Sequence, residues 1–231
     1  GLVGSEMCIR DSPRTVLCML VGAILAICGT VMQGLFRNPL AEPGIIGVSA
    51  GASLGAAFAI VMFAKFSIDY PQLMNFAAVP LFAFFGGALT TVMVYKLGTS
   101  KMGTSVTIML LAGVAISALS GAGIGFMSFV ANDQMLRDLS LWQMGSLAGA
   151  NWTSITLCAV TLLILMVIFM RKAMPLNALL LGEAEANHLG IPVQKLKRQL
   201  ILLTAIGVGV TVSVSGMIGF IGLVIPHLGR M

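Results

Sequence analysis

The sequence predicts an all-α protein, a polytopic bundle of membrane-spanning helices, and three observations carry that expectation. Hydrophobic residues make up 58% of the chain and charged residues 9%, with a mean hydropathy of +1.02, far from the usage of soluble domains. Apolar runs close to the ~20 residues that cross a bilayer recur at about 15 to 36, 45 to 64, 76 to 95, 104 to 130, 152 to 170 and 199 to 225. No run carries a central Asp, Glu, Lys or Arg, so nothing in them resists burial in hydrocarbon.

The first run follows Gly1 to Ser12, which lacks the basic-then-apolar plan of a signal peptide and resembles a non-native leader; membrane sequence begins at Pro13-Arg14. Small residues recur at every fourth position in three runs: Gly22, Ala26, Thr30, Gly34; then Gly47, Gly51, Gly55; then Gly113, Ser117, Gly121, Gly125. Such ladders mark helix faces where backbones approach closely. The last ladder, which leads to Met127, Ser128 and Phe129, is read as the wall of a translocation path. The sixth run is interrupted by Gly216, Gly219 and Gly222. It is therefore expected to form one span to about Ser215, a tight turn, and the start of a seventh span ending near Arg230.

Orientation follows from the basic residues. Arg37, then Lys96 and Lys101, then Arg171, Lys172, Lys195, Lys197 and Arg198 fall in alternate connections, whereas the others carry only Lys65 and Arg137. The positive-inside rule puts the first set in the cytoplasm and places Arg14, Asp69 and the stretch 132–151 outside. The pI of 9.3 and net charge of +5 then reflect topology. The basic residues are scattered over loops without aromatic interleaving, which argues against nucleic-acid binding.

On the cytoplasmic side, residues 175–192 form a polar island with a helix-breaking proline at each end (Pro175 and Pro192), a step at Gly182-Glu183, and two carboxylates, Glu183 and Glu185. A helix resting on lipid headgroups is usually rich in Lys and Arg, and this island has neither. A protein partner is expected to hold it.

Several chemistries are excluded or disfavoured. No G-x-x-x-x-G-K-[ST] motif is present, so nucleotide phosphates are not cradled by that device, and any ATP is hydrolysed by another chain. Without intramembrane charges an ATP-independent secondary transporter is the weaker alternative. Cys18, Cys28 and Cys158 lie in apolar runs and behave as small hydrophobes. His188 and His227 have no partner at ligand spacing, so no metal site and no cofactor are expected. Arg37 and Glu42 belong to a rigid turn, Arg37-Asn-Pro-Leu-Ala-Glu-Pro43, where they fix loop geometry.

The stretch from Pro13 to Ala52, Leu111-Ala-Gly-Val-Ala115, Leu141-Trp-Gln-Met-Gly-Ser146, Leu181-Gly-Glu-Ala-Glu-Ala186 and Gly219-Phe-Ile-Gly-Leu-Val-Ile-Pro-His-Leu228 together resemble the FecCD-type permeases of type II ABC importers. These serve iron-siderophore, haem and cobalamin uptake. The stretches Ala122 to Phe126, Ala131 to Leu139 and Gly145 to Gly149 are most similar to haem permeases. The resemblance implies a permease domain over 13–231, with about seven of the family's ten or so spans, one missing before Pro13 and two after Met231. It further implies a multi-pass protein of the bacterial inner membrane, not itself an enzyme, that pairs as a homodimer within the lipid bilayer and imports haem or ferric siderophore, with cobalamin as the alternative. Its partners would be an ABC ATPase subunit and a periplasmic substrate-binding protein. By the same resemblance, 175–192 are coupling helices, with Leu179, Leu180, Leu181, Gly182, Glu183 and Glu185 meeting the ATPase, and Arg14 meets a carboxylate of the binding protein.

Overall fold

The computed structural model describes residues 2–63, 78–100 and 103–229, with side chains from residue 12 onward. Lys65, Asp69, Lys101 and Arg230, used above for topology, lie outside the described residues or their side chains. In chain order the elements are α1 (Leu2–Phe36), a single 3-10 turn (Pro43–Ile46), α2 (Val48–Met62) and α3 (Val79–Gly98). A two-residue antiparallel pairing follows, β1 (Thr99–Ser100) with β2 (Gly103–Thr104), Thr99 opposite Thr104. Then come α4 (Val106–Val130), α5 (Asp133–Met144), α6 (Trp152–Leu180), α7 (Glu183–His188), α8 (Val193–Ser215) and α9 (Ile221–Leu228). The fold is all-α apart from that small hairpin.

Among the described residues, five helices are long and apolar enough to cross a membrane: Ser12–Phe36 within α1, and α3, α4, α6 and α8. They correspond to five of the six apolar runs. Helix is the form this composition takes in lipid because every backbone N–H and C=O must be paired without water. The caps are local where the chain meets polar surroundings: Ser105, Asn132 and Asn151 accept from the N–H groups of Ile108, Met135 and Ser154 at the starts of α4, α5 and α6.

The second run behaves differently. Its helix, α2, has 15 residues and rises about 22 Å at 1.5 Å per residue, short of the ~30 Å hydrocarbon core. The reason is that the preceding connection dips back into the bundle. Gly222 of α9 is wedged between α1 and this connection: a Cβ on it would stand 3.0 Å from Pro43 Cδ and 3.1 Å from the Leu25 carbonyl oxygen, and one on Gly29 would overlap the Gly222 carbonyl. Pro43 is thus level with the Leu25–Gly29 turn, roughly 10 Å back from Phe36 along α1. Non-helical backbone at such depth is tolerated only where protein covers it, and Pro43, Ile46, Gly47 and Val48 are buried.

The core forms around α8. Of its apolar stretch 67% is buried, against 22% for α6 and 17% for α4, and it packs on α1, α2, α3 and α6. Val193, Leu196, Leu200, Ile201 and Thr204 form its buried stripe at helical spacing. The tightest pair is α2 with α3, where a Cβ on Gly51 would lie 2.5 Å from the Gly86 carbonyl oxygen. That ladder is a packing face, the use small residues have where hydrocarbon gives helices no hydrophobic reason to associate.

The island at 175–192 corrects an expectation. Pro175 does not break the helix: α6 runs through it to Leu180. A proline costs one hydrogen bond, here to the carbonyl of Arg171, and Arg171 is exposed where the helix leaves the apolar stretch, so solvent can satisfy that oxygen. The chain breaks instead at Gly182, whose φ of 132° and ψ of 156° suit only glycine. The far proline does act as foreseen, since Pro192 caps α8.

The close approach of α1 and α9 gives a direct test. Gly29→Ala drives a methyl into the Gly222 carbonyl and should cost about 1–3 kcal/mol, lowering the melting temperature of the purified protein in nanodiscs. Gly22→Ala on the same helix meets nothing within 4 Å and should leave the melting temperature unchanged or slightly raised. Equal melting of the two variants would contradict the packing described.

Candidate functional site

At the basic end of the bundle three elements meet on one side chain. Lys197, on the first turns of α8, is 1% exposed, and its Nζ donates to Glu183 Oε1 at 2.6 Å and to the Thr104 carbonyl at 2.8 Å. One turn earlier, Gln194 Oε1 accepts the Thr104 N–H at 2.9 Å. Residues three apart share a helix face, so α8 grips both backbone groups of Thr104 with one face. Gly103 fits because it has no side chain: with φ at 120°, its Cβ would stand 2.6 Å from Gln194 Nε2. The hairpin, the head of α7 and the foot of α8 therefore form one junction.

A buried ammonium needs such partners. Removing one member of a buried pair typically costs about 3–5 kcal/mol, and the 38% exposure of the Glu183 side chain lowers that figure here, because water can replace part of what the carboxylate supplies. Sequence reasoning counted Lys197 only as a loop cation. The signal was present nonetheless: it occupies the stripe defined by Val193, Leu196, Leu200, Ile201 and Thr204, where a lysine must be paired or pay for desolvation.

The junction sorts the coupling residues expected from sequence. Leu179 is 1% exposed and belongs to the core, so it offers no free surface to a partner. Glu183 is already engaged by Lys197 within the chain. Leu180 and Leu181 are 51% and 72% exposed, and Glu185 is exposed on the outer face of α7, whose inner face is anchored by buried Ala186. The free surface is thus Leu180, Leu181 and Glu185, projecting around the Gly182 bend.

A second polar contact joins two connections at an exposed position. Glu42 Oε1 accepts the Phe220 N–H at 2.7 Å, joining the re-entrant connection to the start of α9. Phe220 has φ of 66°, a left-handed conformation rare for a bulky residue. Glu42 thus fixes geometry as foreseen, but between distant segments rather than within its own turn. Alongside it, Gln33 Nε2 donates to the Leu223 carbonyl at 3.3 Å.

At the opposite end, Arg14 is half-buried and donates to the Ala148 carbonyl at 3.5 Å, while Ser146 N–H donates to Ser215 at 2.7 Å. Both contacts pair residues that the positive-inside rule puts outside, just as the Lys197 junction pairs residues it puts inside. The short amphipathic α5, not foreseen from sequence, covers this end; Leu139 is its buried anchor.

The fourth-position ladder on α4 divides. Gly113 is buried and a Cβ there would overlap the Ile45 carbonyl of the re-entrant segment, whereas Gly121 and Gly125 have nothing within 4 Å. Ser117 lies between these extremes. The structure therefore assigns the inner end of the ladder to helix packing and leaves its outer end open. Among the described residues, no group of three or more His, Cys, Asp and Glu side chains is placed to hold a metal ion.

Comparison with known proteins gives a consistent picture. A profile of the FecCD transport family matches residues 9–231. The hemin transport system permease protein HmuU of Yersinia pestis is 44% identical over 219 residues, 95% of this chain and 64% of its own length. The vitamin B12 import system permease protein BtuC of Klebsiella pneumoniae is 39% identical, again over 95% of this chain and 63% of its own length. The cobalamin import system permease protein BtuC of Halobacterium salinarum is 36% identical, with 57% of its length covered. The chain thus spans less than two thirds of the curated relatives it matches. Among solved structures, a metal-chelate type ABC transporter in an inward-facing conformation superposes with a TM-score of 0.86 at 32% identity, covering all of this chain and 71% of that one. With the family profile matching residues 9–231 and the hemin permease aligned over 95% of this sequence, the chain belongs to the FecCD transport family.

Proposed function

We propose that the protein is the membrane-embedded permease subunit of an ABC importer in the bacterial inner membrane, and that its cargo is haem. Family membership carries the permease reading, supported by five helices of membrane-crossing length and composition. The haem reading is favoured because the relative named as a hemin permease is 44% identical, against 39% and 36% for those named as vitamin B12 or cobalamin permeases. The protein performs no bond-making step itself. ATP is hydrolysed by a partner ATPase, whose closure pushes on the inner surface of the permease.

The surface that meets the ATPase is the tip formed by Leu180, Leu181 and Glu185. Apolar side chains left 51% and 72% exposed at a bend outside the bilayer stretch are suited to a protein cleft. Gly182 gives that tip its angle. At the outer end, the region around Arg14 receives a periplasmic binding protein. Arg14 already serves Ala148, and a guanidinium has five N–H donors, enough to hold that carbonyl and a partner carboxylate together. Two copies of the permease face each other across the path, with Gly121 and Gly125 on its wall.

Uptake by proteoliposomes containing the permease, its ATPase and a binding protein tests the whole reading. Haem should accumulate only with ATP and the ATPase present, and cobalamin should not compete. Accumulation driven by an ion gradient without the ATPase would favour a secondary transporter, and preferential uptake of cobalamin would shift the cargo within the family.

Two variants address the surfaces. Leu181→Asp puts a charge where an apolar contact is proposed and should weaken ATPase association about tenfold or more, which corresponds to at least ~1.4 kcal/mol. Unchanged association, measured by co-purification and by titration in detergent, would remove the leucine tip from the interface. Gly121→Leu fills open space in this chain and should block haem uptake with assembly intact. Loss of assembly with a matching loss of uptake would instead make that face a packing surface.

A further inference from the structure

We infer that Lys197 is the positioning residue that carries movement of α7 to the inner end of α4, through Glu183 on one side and Thr104 on the other. The inference rests on the reading that an ATPase acts on the α6–α7 tip, and extends it to the route taken inside the permease.

The geometry makes the route contiguous. α7 has six residues and is joined to α6 through Gly182, whose backbone conformation only glycine adopts freely. It is therefore set off from α6 by one sharp glycine bend. Its first residue, Glu183, is tied to Lys197 at 2.6 Å, and the same ammonium holds the Thr104 carbonyl at 2.8 Å. Thr104 is one residue from Ser105, which caps α4 by accepting the Ile108 N–H. Thr104 cannot slide independently, because Gln194 holds its N–H and Gly103 is pressed against the Gln194 amide. A displacement of Glu183 thus reaches the start of α4 through two hydrogen bonds to one buried group.

Alternatives for the same lysine are less economical. It is 1% exposed, so it neither meets lipid headgroups nor adds to a cytoplasmic charge that a partner could sense. A purely structural role would require only one carboxylate and a fixed surrounding. Here the carboxylate comes from the short helix α7 and the carbonyl from the connection to the helix whose outer face is open at Gly121 and Gly125. Contiguity alone is not coupling, so the test is energetic.

The experiment measures haem uptake per ATP hydrolysed in proteoliposomes holding the complete complex, for Glu183→Ala, Lys197→Met and the double variant. Each single change should lower that ratio about tenfold, within the 5- to 150-fold range usual for coupled sites. The double variant should be no worse than the worse single, because both cut the same link. An unchanged ratio in an assembled Glu183→Ala complex overturns the inference, as do single losses that multiply in the double variant. If Lys197→Met does not assemble, Glu183→Ala and Glu183→Gln decide the matter. Gln keeps an acceptor for Nζ and should restore at least half of the ratio lost in Ala, whereas equal loss in both would mean that Glu183 acts on the ATPase directly. Failure of the unmodified complex to take up haem with ATP would count against the proposed function, leaving the internal link to be judged by whether Glu183→Ala frees the 99–104 hairpin to hydrogen exchange.

Discussion

The Glu42 carboxylate accepting the Phe220 N–H ties together the two interrupted stretches of the bundle. It joins two stretches that lack helical pairing of their own, the re-entrant connection after α1 and the break between α8 and α9. The bond is exposed on the surface of this chain, so it is worth no more than an ordinary hydrogen bond, about 0.5–1.5 kcal/mol. Near that contact, Pro43 stands beside Gly222, and Gly113 of α4 closes on the Ile45 carbonyl.

The rule that buried polar groups find partners inside explains the other end of the connection network. Lys197 is tolerated at 1% exposure because two acceptors from separate elements converge on it. That convergence gives the junction its meaning for transport. On the proposed reading, the tip that the ATPase meets, the bend at Gly182 and a charge-assisted contact to the hairpin at the head of α4 lie in series. The leucines at the tip remain outside this series and keep their apolar surface, while Leu179, next to them in sequence, has been drawn into the core.

Much of the fold was legible because hydropathy responds to the constraint that shapes membrane helices. Five of the runs became spans, the Gly47–Gly55 ladder became a packing face, and the break at Gly182-Glu183 fell where the glycine stood. Tertiary satisfaction was not legible. Pro175 looked like a stop because a proline's lost bond is local knowledge, whereas the exposure that makes it harmless at Arg171 is not. Glu42 read as serving its own turn because the sequence does not reveal that its partner, Phe220, lies 178 residues further on. Glu183 read as a free carboxylate because its partner lies on another helix. Lys197 could have been found, since its position on the α8 stripe marks it as buried once charge counting is set aside.

The central claim is that the Glu42 carboxylate ties the re-entrant connection to the start of α9, and the melting of Glu42→Gln against Glu42→Leu in nanodiscs tests it most directly. Gln retains an acceptor for the Phe220 N–H and should melt close to the unmodified protein. Leu removes the acceptor and leaves the N–H of Phe220, held in a left-handed conformation, to solvent alone, and should lose about 0.5–1.5 kcal/mol, roughly 1–6 °C for a chain of this size. Equal melting of Leu and the unmodified protein, or a loss in Gln as large as in Leu, would contradict the account.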